Sequence, residues 1–190
     1  MKVLVFGDTH MPTRRRSIPP EFFQHIAAIN YDLALVTGDL VREEDMRKAL
    51  PSLPRTVMVR GNMDYSSGPE SFHREISLEV FNILLIHGTQ LRPRGNIEQL
   101  WEIAENIGAD ITIHGHTHKA AIDLYKSKLF LNPGTLSGAS SGSGGRIDAS
   151  FMELDLKKKV VDVVLFNTNW KVMKRSSLSF VKEDGMKNRE

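Results

Sequence analysis

Three apolar runs in the first third of the chain each break off into a polar turn that contains a glycine. Lys2–Phe6 leads into Gly7-Asp8-Thr9-His10, residues 33–37 into Gly38-Asp39-Leu40, and residues 56–59 into Arg60-Gly61-Asn62-Met63-Asp64. Unbroken apolar runs of this length mark strands covered on both faces, as in a parallel sheet. Between the first two, Ser17, Pro19, Pro20 and Glu21 form a helix start signal. Phe22, Phe23, Ile26 and Ala27 then give an apolar helical face that ends near Asn30. Between the second and third, Met46, Ala49, Leu50 and Leu53 recur at helical spacing, closed by Pro51 and Pro54. The pattern is β-α-β-α-β, whose strands run parallel and present their carboxyl ends on one sheet edge. Open α/β sheets bind ligands at that edge. One acidic turn is ordinary backbone chemistry, whereas three in register are hard to explain that way.

The rest of the chain changes character. Residues 72–80 and 83–87 read as an antiparallel hairpin around Phe81-Asn82, with the second strand finishing at His87-Gly88. Asn96 with Gln99 resembles a capping box. The helix behind it carries Ile97, Leu100, Trp101, Ala104 and Ile107 on one face and stops at Gly108. Trp101 lies on that face and is expected in the core. Next comes Ile111-Thr112-Ile113-His114-Gly115-His116-Thr117-His118, a strand running into histidines at alternate positions. Gly115 lets the backbone turn at the strand end and re-aims His116 and His118. Two imidazoles on one tight turn suit metal ligation better than packing.

Residues 120–125 and 128–132 form a hairpin over Lys126-Ser127, and residues 149–154 and 160–166 pair around the lysines at 157–159. Between these hairpins, residues 134–145 hold five glycines and four serines and are expected to be a mobile loop. Beyond Asn167 the chain turns basic and polar, with Trp170, Val172 and Phe180 as candidate anchors. One domain over residues 1–181 and a flexible tail over 182–190 are expected.

Composition narrows the chemistry. The length of 190 residues suits one domain with a sizeable core. Cysteine is absent, so any metal must sit on N and O donors. A net charge of +2 gives no general pull towards nucleic acid or anionic membrane, and nucleic acid is expected only as a substrate. The run Arg14-Arg15-Arg16 is either solvated surface or an attractor for an anionic substrate. No apolar run reaches membrane-spanning length, and Met1-Lys2 leads straight into the first strand pattern, so a cytoplasmic protein is expected. Self-association is left open.

Collected, the turn residues are Asp8, His10, Asp39, Asn62, His87, His116 and His118, all N or O donors. Seven are too many for one tetrahedral zinc and suit two ions if a carboxylate bridges. In order and spacing, Asp8-x-His10, Gly38-Asp39, Gly61-Asn62, His87 and Gly115-His116-x-His118 resemble the calcineurin-like metallophosphoesterase superfamily over about residues 1–166. The Gly-Asp-Thr-His start, the Gly-His-Thr-His block and Asn132-Pro133-Gly134-Thr135 are similar to one branch. That branch holds small prokaryotic phosphodiesterases and the small subunit of the eukaryotic retromer coat.

The resemblance implies an α/β fold of two mixed β-sheets packed as a sandwich with helices on the outer faces, a four-layer arrangement. It also implies two divalent metal ions, manganese foremost, with nickel, iron(II) and zinc also suited to these donors. Asp8, His10, Asp39 and His118 would hold the first ion. Asp39, Asn62, His87 and His116 would hold the second, with Asp39 as bridge. Asn62, Asp39 and His87 are the residues expected at the reacting phosphate. The activity implied is hydrolysis of a small phosphate ester, most naturally a diester, by in-line attack of a metal-bridging hydroxide. A protein-interaction scaffold like the retromer subunit is the alternative. With two anionic ligands against roughly four positive charges and one hydroxide, the centre keeps about +1, which suits a phosphodiester monoanion. His114, His25 and His73 match no ligand position. Arg42, Arg60, Arg92 and Arg94 lie beside the motif turns, either as cations near the site or as solvated surface. Met63 is a departure: much of the superfamily has histidine there, thought to protonate the leaving group, and methionine cannot.

Overall fold

A computed structural model of the chain describes residues 1–64, 70–142 and 145–189. Its elements, in order, are β1 (Lys2–Phe6), α1 (Pro20–Ala27), β2 (Leu33–Val36), α2 (Glu43–Ala49), β3 (Thr56–Met58), β4 (His73–Leu78), β5 (Phe81–Ile86) and α3 (Ile97–Asn106). There follow β6 (Ile111–His114), β7 (Ala121–Tyr125), β8 (Lys128–Asn132), β9 (Ala149–Lys157), β10 (Val160–Thr168), β11 (Met173–Lys182) and β12 (Met186–Asn188). They build a seven-stranded sheet of order β12-β11-β10-β9-β1-β2-β3 and a five-stranded sheet of order β4-β5-β6-β8-β7. β1, β2 and β3 are parallel, as are β5, β6 and β8; the hairpin strands are antiparallel.

The continuous apolar runs are explained by what covers each face. Val3 and Val5 of β1 point into the core between the sheets, where Ile83, Leu85, Ile111 and Ile113 of the second sheet meet them. Leu4 and Phe6, on the opposite pleat, pack under α1 and α2 against Phe22, Ile26 and Met46. On the other side of the sandwich, Leu84, Ile86 and Phe130 face Leu100 and Ala104 of α3. The result is helix, sheet, sheet, helix: two mixed sheets with few helices. Asn96 caps α3 by accepting the Gln99 N–H, as the sequence suggests.

Three expectations need correcting. The β4–β5 turn is at Glu79-Val80, not Phe81-Asn82. Phe81 is fully buried between the sheets, and its burial outweighs the local turn preference, with Glu79 taking the left-handed conformation instead. The Gly/Ser-rich segment, in its described residues, is packed: Leu136, Ser137 and Ala139 are fully buried. Residues 143 and 144 of that segment lie outside the described residues. Finally, residues 182–190, read as a tail, contain β12, which pairs with β11 and buries Met186 in the inter-sheet core. Among the described residues, no helix is long and apolar enough to cross a membrane.

Candidate metal centre

Every turn singled out in the sequence follows a strand whose carboxyl end lies at the same end of the sandwich. Asp8 and His10 follow β1, Asp39 follows β2, and Asn62 follows β3. His87 follows β5, and His116 and His118 follow β6. Main-chain hydrogen bonds lock the turns together. The Asp8 N–H donates to the Gly38 carbonyl at 2.9 Å, the His10 N–H to the Asp39 carbonyl at 3.0 Å, and the Gly115 N–H to the His87 carbonyl at 3.1 Å. Close approach excludes side chains at the glycines. A Cβ on Gly61 would lie 2.1 Å from Asp39 Oδ1, and one on Gly115 would lie 2.6 Å from Asp8 Oδ2.

The side chains meet in two groups, each with ligating atoms within 4.8 Å of one another: Asp8, His10, Asp39 and His118, and Asp39, His87 and His116. All of these side chains are buried. Asp39 belongs to both groups, its Oδ2 lying 3.4 Å from His10 Nε2 and 3.5 Å from His87 Nε2. Asn62 joins the second group, its Oδ1 3.2 Å from His87 Nε2, and the residue is exposed. His114 stays outside both. It is buried, and its Nδ1 lies 3.2 Å from Asn132 Nδ2. His25 lies elsewhere, 2.8 Å from Glu153, and His73 is exposed.

The backbone is strained at these residues. Asp8, His10, Asp39, His116 and His118 all have φ between 47° and 68°, the left-handed region that glycine favours. Such a residue costs of order 1 kcal/mol, and it persists only where the surroundings over-determine it. The over-determining contacts are visible. Asp64 accepts three N–H groups, from Asp39 at 3.0 Å, Val41 at 2.9 Å and Gly61 at 2.7 Å. The Met63 N–H donates to Asp39 Oδ1 at 2.7 Å. Thr135 donates its hydroxyl to the Asp8 carbonyl at 2.8 Å, and Ser137 donates to the Thr9 carbonyl at 2.7 Å. The Gly/Ser segment is thus the buttress of the first turn. Arg14 and Arg15 hold that segment by donating to the carbonyls of Ser140, Gly138 and Gly145. Two arginines of the basic run are therefore committed to the chain's own backbone.

The donor set fits divalent cations on the structure's own terms. His118 Nδ1 lies 2.6 Å from the Ala139 carbonyl, and His87 Nδ1 lies 2.7 Å from the Thr37 carbonyl. A carbonyl only accepts, so each Nδ1 carries the hydrogen, and the neutral ring turns a bare Nε2 towards the site. His118 Nε2 then faces Asp8 Oδ1 at 3.3 Å and His10 Nε2 at 3.1 Å. Asp8 Oδ1 and His10 Nδ1 are buried without a hydrogen-bond partner among the described residues. Acceptors turned towards one another in a buried site need a cation or a proton between them.

Without metal, protons take part of that role. Burial pushes His10 down to about 4 against the pull of Asp39 and Asp8. Burial, with the charges of His87 and Arg94, also takes His116 to about 4, and burial alone dominates at His114, again to about 4. His87 goes the other way: burial opposes its charge, but its contact with Asp39, the charges of Asp8 and Asp39 and the Thr37 carbonyl raise it to about 9. His118 is raised too, its contact with Asp8 overcoming burial. For Asp39, burial would raise the carboxyl, yet His87, the Met63 N–H and His10 hold it below its ordinary range.

Comparison with known proteins shows the family and the fold. The model of the calcineurin-like phosphoesterase superfamily domain matches residues 1–159. The chain belongs to that superfamily. A probable metallophosphoesterase from Methanothermobacter thermautotrophicus is 38% identical over 136 residues, 71% of this chain and 77% of that protein. Among solved structures, zinc-complexed wild-type Vps29 from Entamoeba histolytica superposes with a TM-score of 0.85 at 32% identity, covering 94% of this chain and 99% of that one. A novel archaeal phosphodiesterase shares the fold, with a TM-score of 0.61 at 18% identity over 94% of this chain and 100% of that one. The family typically binds divalent metals and acts on phosphate esters, and this chain has Asp/His groups that could bind metal. The sequence reading overlooked the supporting residues Asp64, Thr135 and Ser137 and the carbonyls of Thr37 and Ala139.

Proposed function

We propose that the protein is a dimetal-dependent phosphodiesterase. Asp8, His10, Asp39 and His118 would hold one ion, and Asp39, Asn62, His87 and His116 the other. The chemistry such ions would supply is a more acidic bound water as nucleophile and an offset of charge on the phosphoryl oxygens. The chain's own groups do the rest. Asp39 spans both groups, and the Met63 N–H and the Asp64 network fix its carboxylate. Asn62, exposed beside the second group, has an amide that can donate to a phosphate oxygen while its oxygen stays near His87. The single observation that carries the reading is the position of Asp39 within ligating reach of both imidazole groups.

Met63 shapes the expected specificity. Its side chain is exposed and supplies no proton. General acid catalysis is typically worth ~10²–10⁴-fold, so esters with good leaving groups should be favoured. The test is hydrolysis of bis(4-nitrophenyl) phosphate with manganese, nickel, iron(II) or zinc. The expected result is metal-dependent turnover, greatest with manganese and lost in Asp39→Asn. Turnover that survives chelation, or survives Asp39→Asn, would overturn the assignment.

A second reading is a protein-interaction scaffold. It is favoured by the likeness to Vps29 structures, at TM-scores of 0.85 and 0.87, against 0.61 for the archaeal phosphodiesterase. The full donor set favours the enzyme. A stable complex with a protein partner, together with no turnover on any diester, would favour the scaffold.

A further inference from the structure

The turn that carries His116 and His118 also walls a cavity of about 560 Å³. That is the size range of sites for small organic ligands. Thr117 lines it from the metal side, and Ile97, Ala121, Leu124 and Tyr125 supply apolar wall. His114 lines it too. Its Nδ1 lies 3.2 Å from Asn132 Nδ2, and no hydrogen bond among the described residues uses its Nε2. Asn132, in contrast, is committed: its two amide hydrogens are shared among His114 Nδ1, the Gly115 carbonyl and Thr117 Oγ1, and its oxygen accepts the Gly134 N–H.

Two cations, Arg94 and Lys119, stand exposed in the lining against one anion, Asp123. Among the described residues, Arg94 makes one long bond, 3.5 Å, to the Ser141 carbonyl. Its neighbour Gly95 packs on the turn between the two imidazoles: a Cβ there would lie 2.8 Å from Thr117 Cγ2, which places Arg94 beside that turn. The cavity thus combines apolar walls, one unused imidazole nitrogen and a surplus of positive charge. An acyl chain has no use for that nitrogen, and a sugar phosphate has little for the apolar walls.

Resting on the phosphodiesterase reading, we propose that this cavity is the subsite for one arm of the substrate, and that this arm is a nucleotide. Its heteroaromatic ring lies against Ile97, Leu124 and Tyr125 and shares a hydrogen bond with His114 Nε2. Its own phosphate lies against Arg94 and Lys119. The scissile diester then sits across Thr117, over the metal-ligand groups.

The experiment compares the linear dinucleotides pApA and ApA, which differ by one terminal phosphate. Wild type should cleave pApA with kcat/KM about tenfold above ApA, as a charge-assisted phosphate contact allows. In the double variant Arg94→Ala, Lys119→Ala the ratio should fall to about one. A wild-type ratio near one, or a preference kept by the variant, overturns the subsite. A second measurement needs no turnover. AMP is titrated into zinc-loaded protein while the methyl resonances of Ile97, Ala121 and Leu124 are followed. Saturable shifts at these methyls, about tenfold weaker in the double variant, support the subsite; their absence overturns it. Failure to hydrolyse bis(4-nitrophenyl) phosphate tells instead against the phosphodiesterase reading, so the two failures are distinguishable.

Discussion

The two ligand groups share Asp39 but are not equivalent. The first has two carboxylates, Asp8 and Asp39, with His10 and His118, and all four side chains are buried. The second has Asp39 alone among its anions, with His87, His116 and the neutral, exposed Asn62. Their supports differ as well. The first leans on Thr135, Ser137 and the Ala139 carbonyl, all from one distant segment. The second leans on the Thr37 carbonyl behind His87. Charge count and burial decide how strongly a site holds a cation. The first position is therefore expected to bind its ion more tightly, and the second to exchange its ion with solvent.

This asymmetry can be broken by mutation. Asp8→Asn removes half the charge of the first group and should cost that ion more than about 100-fold in affinity, beyond the 10–100-fold typical of an outer hydrogen-bond partner. Isothermal titration of the metal-stripped variant should then give two weak sites in place of one tight and one weak. His116→Ala should weaken only the second. Equal losses from the two variants would break the comparison.

Asp64 touches neither imidazole set directly, yet it fixes the turn of the carboxylate that both share. Asp64→Ala should reduce metal affinity at both positions by about 10–100-fold. Its signature is joint loss, read in the same titration. Loss at one position alone would show that Asp39 is not the common element.

The imidazoles sharpen the contrast through pH. Each group pairs one raised histidine with one lowered to about 4: His118 with His10, and His87 with His116. In metal-free protein the raised pair stabilises the fold below the unfolded value of about 6.5. For His87 that contribution is lost as pH climbs through about 9. The lowered pair acts in reverse, losing stability as pH falls from about 6.5 towards 4. The denaturation temperature of stripped protein should therefore be highest near pH 6.5 and fall on both sides. Metal must displace the His87 proton, so second-site affinity should rise about tenfold per pH unit up to about 9. A pH-independent affinity would contradict a protonated His87. The smallest expected effect is Ser137→Ala, which removes one buried hydroxyl–carbonyl bond at the first turn and should cost about 1 kcal/mol in chemical denaturation.

Much of the fold could be read from the chain because local signals agreed. The apolar runs, the proline-led start of α1 and the Asn96 cap each specify an element without reference to remote residues. The convergence of the candidate ligands was legible for a related reason: each stands at or beyond a strand end, and Asp8, Asp39, Asn62, His87 and His116 each sit beside a glycine. The supports were not legible. Ser137 meets Thr9, and Thr135 meets Asp8, across more than a hundred residues, and serine and threonine are too common to mark such a partnership. The same remoteness explains the misreading of the Gly/Ser segment as mobile, since its composition reports local freedom and not the carbonyls and arginines that hold it. Phe81 shows tertiary burial overriding a turn signal, and Met186 shows one apolar side chain drawing a polar terminus onto the sheet.

The most direct test of the central claim is anomalous diffraction from crystals grown with manganese. Two peaks are expected, one among Asp8, His10 and His118 and one among Asn62, His87 and His116, with the Asp39 carboxylate between them. The first peak should persist longer than the second as manganese is withdrawn. A single peak, or peaks that Asp39 does not bridge, would contradict the account.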